Sequence, residues 1–191
     1  MNDPIIDAVA DAYAVALPWI GRVYGPTKRV LVSNDPRPKY LPIAESVRPD
    51  PDDCGFRGAV VPDAKYTGTI HFETISARVA TGITGRKKLV GRFRLVAWFN
   101  LRKIGAVSAA TLTDALIGAL PAAVATGGAP ASLTLSAIPP ASPSPFERYD
   151  YDDEALSFLR PPYVSTSVEI QYVAFLPKNC PVPVELNPEV C

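Results

Sequence analysis

Two β-rich stretches, residues 66–79 and 89–101, flank a short glycine-containing segment, and no other feature of the sequence limits the fold as strongly. In the second stretch Leu89, Phe93, Leu95, Ala97, Phe99 and Leu101 alternate with Arg92, Arg94 and Asn100. Successive side chains of a strand point to opposite faces, so this is the period of a strand with one buried face. Val96 and Trp98 interrupt the polar side, which implies that part of that face is covered too. The connection at 80–88 holds Gly82, Gly85 and three basic residues, the composition of a turn. The expectation is a long antiparallel β-hairpin with a basic tip that projects from the sheet.

The remaining periodic segments surround this hairpin. Asp3-Pro4 suits a helix start, with Asp3 as N-cap and Pro4 at the first helical position. Ile5, Val9, Ala12, Tyr13 and Ala16 then follow helical spacing, and the helix is expected over 4–17. A second helix is expected over 111–124, capped by Ser108 or Thr111, with Leu112, Leu116 and Leu120 on its apolar stripe. Residues 29–33, 132–138 and 163–176 read as strands. In the last, Val164, Val168, Ile170, Tyr172 and Ala174 share a face. The fold class predicted is α+β, a mostly antiparallel sheet with a long β-hairpin, flanked by two helices.

The 191 residues suit one domain, and the 48% apolar content suffices for its core. The 21 prolines are roughly twice the usual ~5% share and gather at 36–51, 139–145 and 177–188. Proline removes a backbone donor and fixes φ, so these clusters predict connections. Residues 34–62, with six prolines, are expected to form a long loop, and 177–191 a proline-rich tail after a single domain over 1–176.

Function classes narrow by exclusion. Zero formal charge argues against a free-standing nucleic-acid binder, which needs a basic excess to neutralise phosphates. Cys54, Cys180 and Cys191 form no CxxC pair, and His71 is the only histidine, so neither a metal nor a cofactor is expected. Free thiols are expected, with a Cys180–Cys191 bridge as the other option. Met1-Asn2-Asp3 lacks the basic start of a secretory leader, and no apolar run approaches the ~20 residues of a membrane span. His71 and Glu73 share a strand face and could form an acid–base couple, but a half-exposed structural histidine is the expected reading. The carboxylates at 150–154 lack the pattern of a calcium loop and are expected to be solvated. No nucleophile elbow, phosphate loop or dinucleotide fingerprint occurs, and the chain is not expected to be an enzyme.

Charge placement says more than charge total. Seven basic residues fall between 86 and 103, among them Arg86, Lys87, Lys88, Arg92 and Arg94. Five acidic residues fall between 147 and 154: Glu147, Asp150, Asp152, Asp153 and Glu154. One reading is two separate solvated faces. The other is a head-to-tail contact in which the basic hairpin of one subunit meets the acidic loop of the next, and such contacts close into rings when the rotation allows.

The order of these pieces, with Tyr66-Thr-Gly68, Phe93-Arg-Leu-Val-Ala-Trp-Phe99 and Tyr149-Asp-Tyr-Asp-Asp153, resembles the tail terminator proteins of long-tailed bacteriophages over roughly residues 4–176. Those proteins open with a helix and a variable loop, then a long hairpin, a helix across the sheet, and a closing strand after an acidic, tyrosine-rich loop. The loop 34–62 and the tail 177–191 make this chain longer than the smallest members. The resemblance implies a virion structural protein, assembled in the host cytoplasm as a homo-oligomeric ring of six on the head-proximal end of the tail. Its partners would be itself, the tail tube protein and a head completion or connector protein, with DNA passing through unread. A head–tail joining or tail tube protein is the related alternative. A small-molecule-binding α+β domain is the alternative from a different class.

Overall fold

The computed structural model describes residues 3–32, 39–45, 58–82, 85–105, 108–126, 129–139, 145–146, 148–151 and 153–176. The first helix, α1 (Pro4–Ala16), starts where the sequence places it. The Asp3 carboxylate accepts from the N–H groups of Ile5 at 3.0 Å and Ile6 at 3.4 Å, satisfying two donors that the helix cannot. Its buried stripe is Ile5, Ile6, Val9, Ala10 and Tyr13.

Seven strands among the described residues form one sheet: β1 (Arg22–Val32), β2 (Lys39–Ala44), β3 (Gly68–Thr81), β4 (Lys87–Asn100), β5 (Ala123–Thr126), β6 (Ala129–Ala137) and β7 (Tyr163–Phe175). Their spatial order is β2-β1-β3-β4-β7-β6-β5. All neighbours are antiparallel except β1 and β3. The fold is α+β, with the long hairpin β3–β4 at its centre. The hairpin is paired from Gly68↔Phe99 to Thr81↔Lys87, and the expected strand pairing stands. Gly85 adopts φ +73 in its turn, a conformation that side chains with a Cβ disfavour.

Helices α1 and α3 (Ala109–Gly118) cover one face. With them the sheet buries Ile70, Phe72, Phe93, Leu95, Phe99, Val168, Ile170 and Tyr172. Each such side chain, fully buried, contributes about 1.5–3 kcal/mol. The opposite face carries a second apolar cluster of Val96, Trp98, Phe146, Tyr149, Tyr151 and Ala155. Trp98 stacks on Tyr163 at 5.3 Å, and its indole N–H donates to the Phe158 carbonyl at 2.6 Å. This is the cover that the interrupted polar face of β4 implied. Two short helices, α2 (Leu101–Ile104) and α4 (Asp153–Ser157), complete the described elements.

Four expectations about the elements need correction. The second helix ends at Gly118 rather than at 124, because Pro121 cannot donate and disfavours helical backbone just before it. Residues 123–126 are strand β5 instead. The stretch 34–62 is not simply a loop, since it contains β2, and Ile43 bridges Ala59. β2 lies at the sheet edge, where Pro42 is tolerated. β1 begins at Arg22 rather than 29, its pairing with β3 shifting in register between Val23 and Pro26. Finally, Leu101 opens α2 rather than ending the strand, with the Asn100 side chain accepting from the Arg102 N–H.

Candidate assembly surface

The face of the sheet opposite α1 and α3 holds a row of charges that cross-strand pairing lines up. Glu73 of β3 faces Arg94 of β4, which faces Glu169 of β7. Arg94 Nη2 donates to Glu169 Oε1 at 2.7 Å. Above the row, Arg148 Nη2 lies 2.9 Å from Glu73 Oε2, and His71 Nε2 lies 3.6 Å from Glu73 Oε1. Both contacts of Glu73 have ion-pair distances but lack hydrogen-bond alignment. Burial pushes the Arg148 guanidinium below its usual value, and Arg94 and Arg29 push the same way, while Glu73 opposes them. Burial pushes the Tyr151 hydroxyl up, and the nearby Glu73 charge adds to it.

His71 is not half-exposed as expected but fully buried. Phe146 packs edge-on against its ring at 5.7 Å, and Tyr149 lies at 6.3 Å. Strand alternation places His71 and Glu73 on one face but does not reveal what covers them. The segment 145–151 does so, and it is not a freely solvated acidic loop: Phe146, Tyr149 and Tyr151 are core residues. Asp150 ties it to the edge strand, accepting from the Tyr40 N–H at 2.9 Å, while its own N–H donates to the Tyr40 carbonyl. The Tyr151 hydroxyl donates to the Val60 carbonyl at 2.9 Å. Arg148, the cation that compensates Glu73, was not among the residues singled out by sequence. Its only sequence signal is a basic residue amid the acids of 147–154.

The basic candidates separate into two groups. Arg94 is engaged within the chain by Glu169. Arg86, Lys87 and Arg92 are exposed and Lys88 half-exposed, and together with Arg78 they make no ion pair among the described residues. These cations belong to the distal half of the hairpin, where all six residues from Thr74 to Val79 are exposed. The expected projection of the hairpin from the sheet is not seen: its β3 edge is exposed, but β7 stays paired with β4 as far as Lys88↔Phe175. Of the acidic candidates, Asp150 and Asp153 are exposed. Glu147 and Asp152 lie outside the described residues, as do the side chain of Glu154, Cys54, Cys180 and Cys191.

Among the described residues no group of three or more His, Cys, Asp or Glu side chains could hold a metal ion, and no helix is long and apolar enough to cross a membrane. No family model, curated protein or solved structure matches the chain significantly.

Proposed function

We propose that this chain is a virion structural subunit of the tail terminator kind, assembling as a homo-oligomeric ring that caps the tail tube and presents a surface to the head connector. The observation that carries the reading is the distal hairpin. Its β3 edge from Thr74 to Val79 is exposed, and Arg78, Arg86, Lys87, Lys88 and Arg92 around it form no ion pair among the described residues. An exposed basic edge on a chain of zero formal charge is complemented by acidic groups, and a second copy supplies Asp150 and Asp153 on its surface. The alternative of an acid–base site is weakened by its own candidate pair. His71 and Glu73 are closed off beneath Phe146, Tyr149 and Arg148.

Exposed ion pairs contribute only about 0–1 kcal/mol each, so charge would set the register of the ring while apolar contact supplies its affinity. The test is sedimentation of the purified chain, with electron microscopy of the particles. Closed rings are expected, weakened modestly by salt and more by the double reversal Arg86→Glu with Lys88→Glu. Reversing Asp152 and Asp153 to Lys in that background restores the ring if the two segments touch. Open tubes would instead point to a tube protein. A monomer at high concentration would sink the ring, and an oligomer indifferent to the double reversal would sink the hairpin-to-loop contact.

A further inference from the structure

The two free edges on the β2 and β3 sides of the sheet are treated differently. The outer edge of β2 is closed by Asp150 at Tyr40, by the Val60 N–H on the Pro42 carbonyl at 2.7 Å, and by the Ile43–Ala59 bridge. The second edge arises because β1 leaves β3. Their pairing stops at Thr27↔Glu73, while β3 runs on to Thr81 with β4 as its only strand partner among the described residues. Open strand edges are templates for another strand, and proteins ordinarily block them.

The phase of this edge can be read from two hydrogen bonds. The Gly82 N–H donates to the Arg86 carbonyl at 2.8 Å, and the Leu176 N–H donates to the Lys87 carbonyl at 3.0 Å. Antiparallel ladders alternate bonded and non-bonded pairs, so Ser76, Arg78 and Ala80 direct their backbone groups to β4. Ala77 and Val79 direct theirs to the open edge. The side chains of these same two residues lie on the main-core side, since Ala77 faces Gly91 under the Tyr172 ring and Val79 faces Leu89. On the other side lie Arg78 and Arg92. The edge thus fits a strand whose inward-bonding residues are apolar and whose alternate residues are neutral or acidic. Those alternate residues need no backbone donor.

We propose that this edge is the docking site of residues 182–186 of the same chain. These residues lie outside the described ones, and their sequence meets each requirement in the same phase. Val182, Val184 and Leu186 fall on one parity, and Pro181, Pro183 and Glu185 on the other. An added edge strand bonds on one side only, so prolines of one parity cost it no ladder bond. With the valines facing Ala77 and Val79, Glu185 shares the side of Arg78 and Arg92. The reach is sufficient. Leu176 is anchored beside Lys87, two strand spacings or about 10 Å from β3. The six residues to Val182 span up to about 20 Å, so the segment can round the hairpin end and run back antiparallel to β3. Tethering also gives it an effective concentration on the order of mM. The contact concerns the hairpin's edge with Arg78 and Arg92, and stands apart from the ring, which would use Arg86, Lys87 and Lys88 at the turn.

Hydrogen exchange at the Ala77 and Val79 amides tests the docking in the full-length chain. Proline at Val184 removes an inward donor and proline at Glu185 removes an outward one. Exchange about tenfold or more faster in Val184→Pro than in the unaltered chain is expected, with Glu185→Pro unchanged. Equal effects of the two prolines, or fast exchange already in the unaltered chain, would overturn the docking. Protection that holds on dilution supports the same-chain contact. Protection that fades with dilution assigns the edge to a neighbour and overturns it.

Discussion

Gly91 shows how one side-chain position is decided by its neighbour across the strand. A Cβ at Gly91 would collide with the Tyr172 ring, which crosses the strand there. The ring cannot simply swing away, because it is buried and its hydroxyl donates to Asp3 Oδ2 at 3.2 Å. Gly91→Ala should therefore lower stability by about 1–3 kcal/mol, measured by denaturant unfolding. An unchanged midpoint would contradict the contact. Glu73 makes the complementary point about charge. It is buried, and Arg148 is its cationic partner. Breaking a fully buried pair costs about 3–5 kcal/mol, but Arg148 keeps 39% side-chain exposure, so Arg148→Ala should cost about 1–3 kcal/mol. Adding Glu73→Gln should recover part of that loss, since no buried carboxylate is then left uncompensated. A double variant no more stable than the single one would remove Arg148 from this role.

At the scale of elements, helix α3 is held by two leucines rather than by its length. Leu112 and Leu116 are buried, and the Leu116 carbonyl also accepts the Tyr13 hydroxyl at 2.8 Å, linking α3 to α1. Leu116→Ala should cost about 2–4 kcal/mol, read as a fall in melting temperature. Leu120 lies beyond the helix and packs only partly, so Leu120→Ala should cost clearly less. Equal losses would indicate that the helical stripe runs on past Gly118. The hairpin, α1 and its cap, and the alternation of β7 were all legible in the sequence, because each carries its signal within about 14 neighbouring residues. β2 and the start of β1 were not, because Pro42 and Gly25-Pro26 are turn signals that an edge strand or a register shift overrides.

The molecule as a whole couples its two faces to alkaline pH through buried phenols. Burial raises the hydroxyls of Tyr13, Tyr151 and Tyr172 well above the usual 10.0, with Asp3 adding to the shift at Tyr172. The folded state thus holds these protons where the unfolded chain releases them. Their stabilisation is complete below about pH 10 and is lost as pH rises above it, by about 1.4 kcal/mol per unit for each tyrosine. Stability measured between pH 9 and 12 should fall with a slope steeper than one group gives, and each Tyr→Phe variant should flatten it. A flat profile would contradict burial of the three hydroxyls.

The sequence by itself determined the α+β class, the central hairpin, the helix cap at Asp3 and the segregation of basic from acidic residues. These are properties of period, turn chemistry and local charge. It also indicated, through Val96 and Trp98, that the second face of the hairpin is covered. What covers it was decided only by tertiary structure. Residues 145–151 lie more than 70 positions from His71 and Glu73, and no period or spacing links them. The same holds for the open edge of β3. It exists because β1 stops pairing with β3 after Thr27, and which distant strand lies beside β3 is not marked by any residue of the edge.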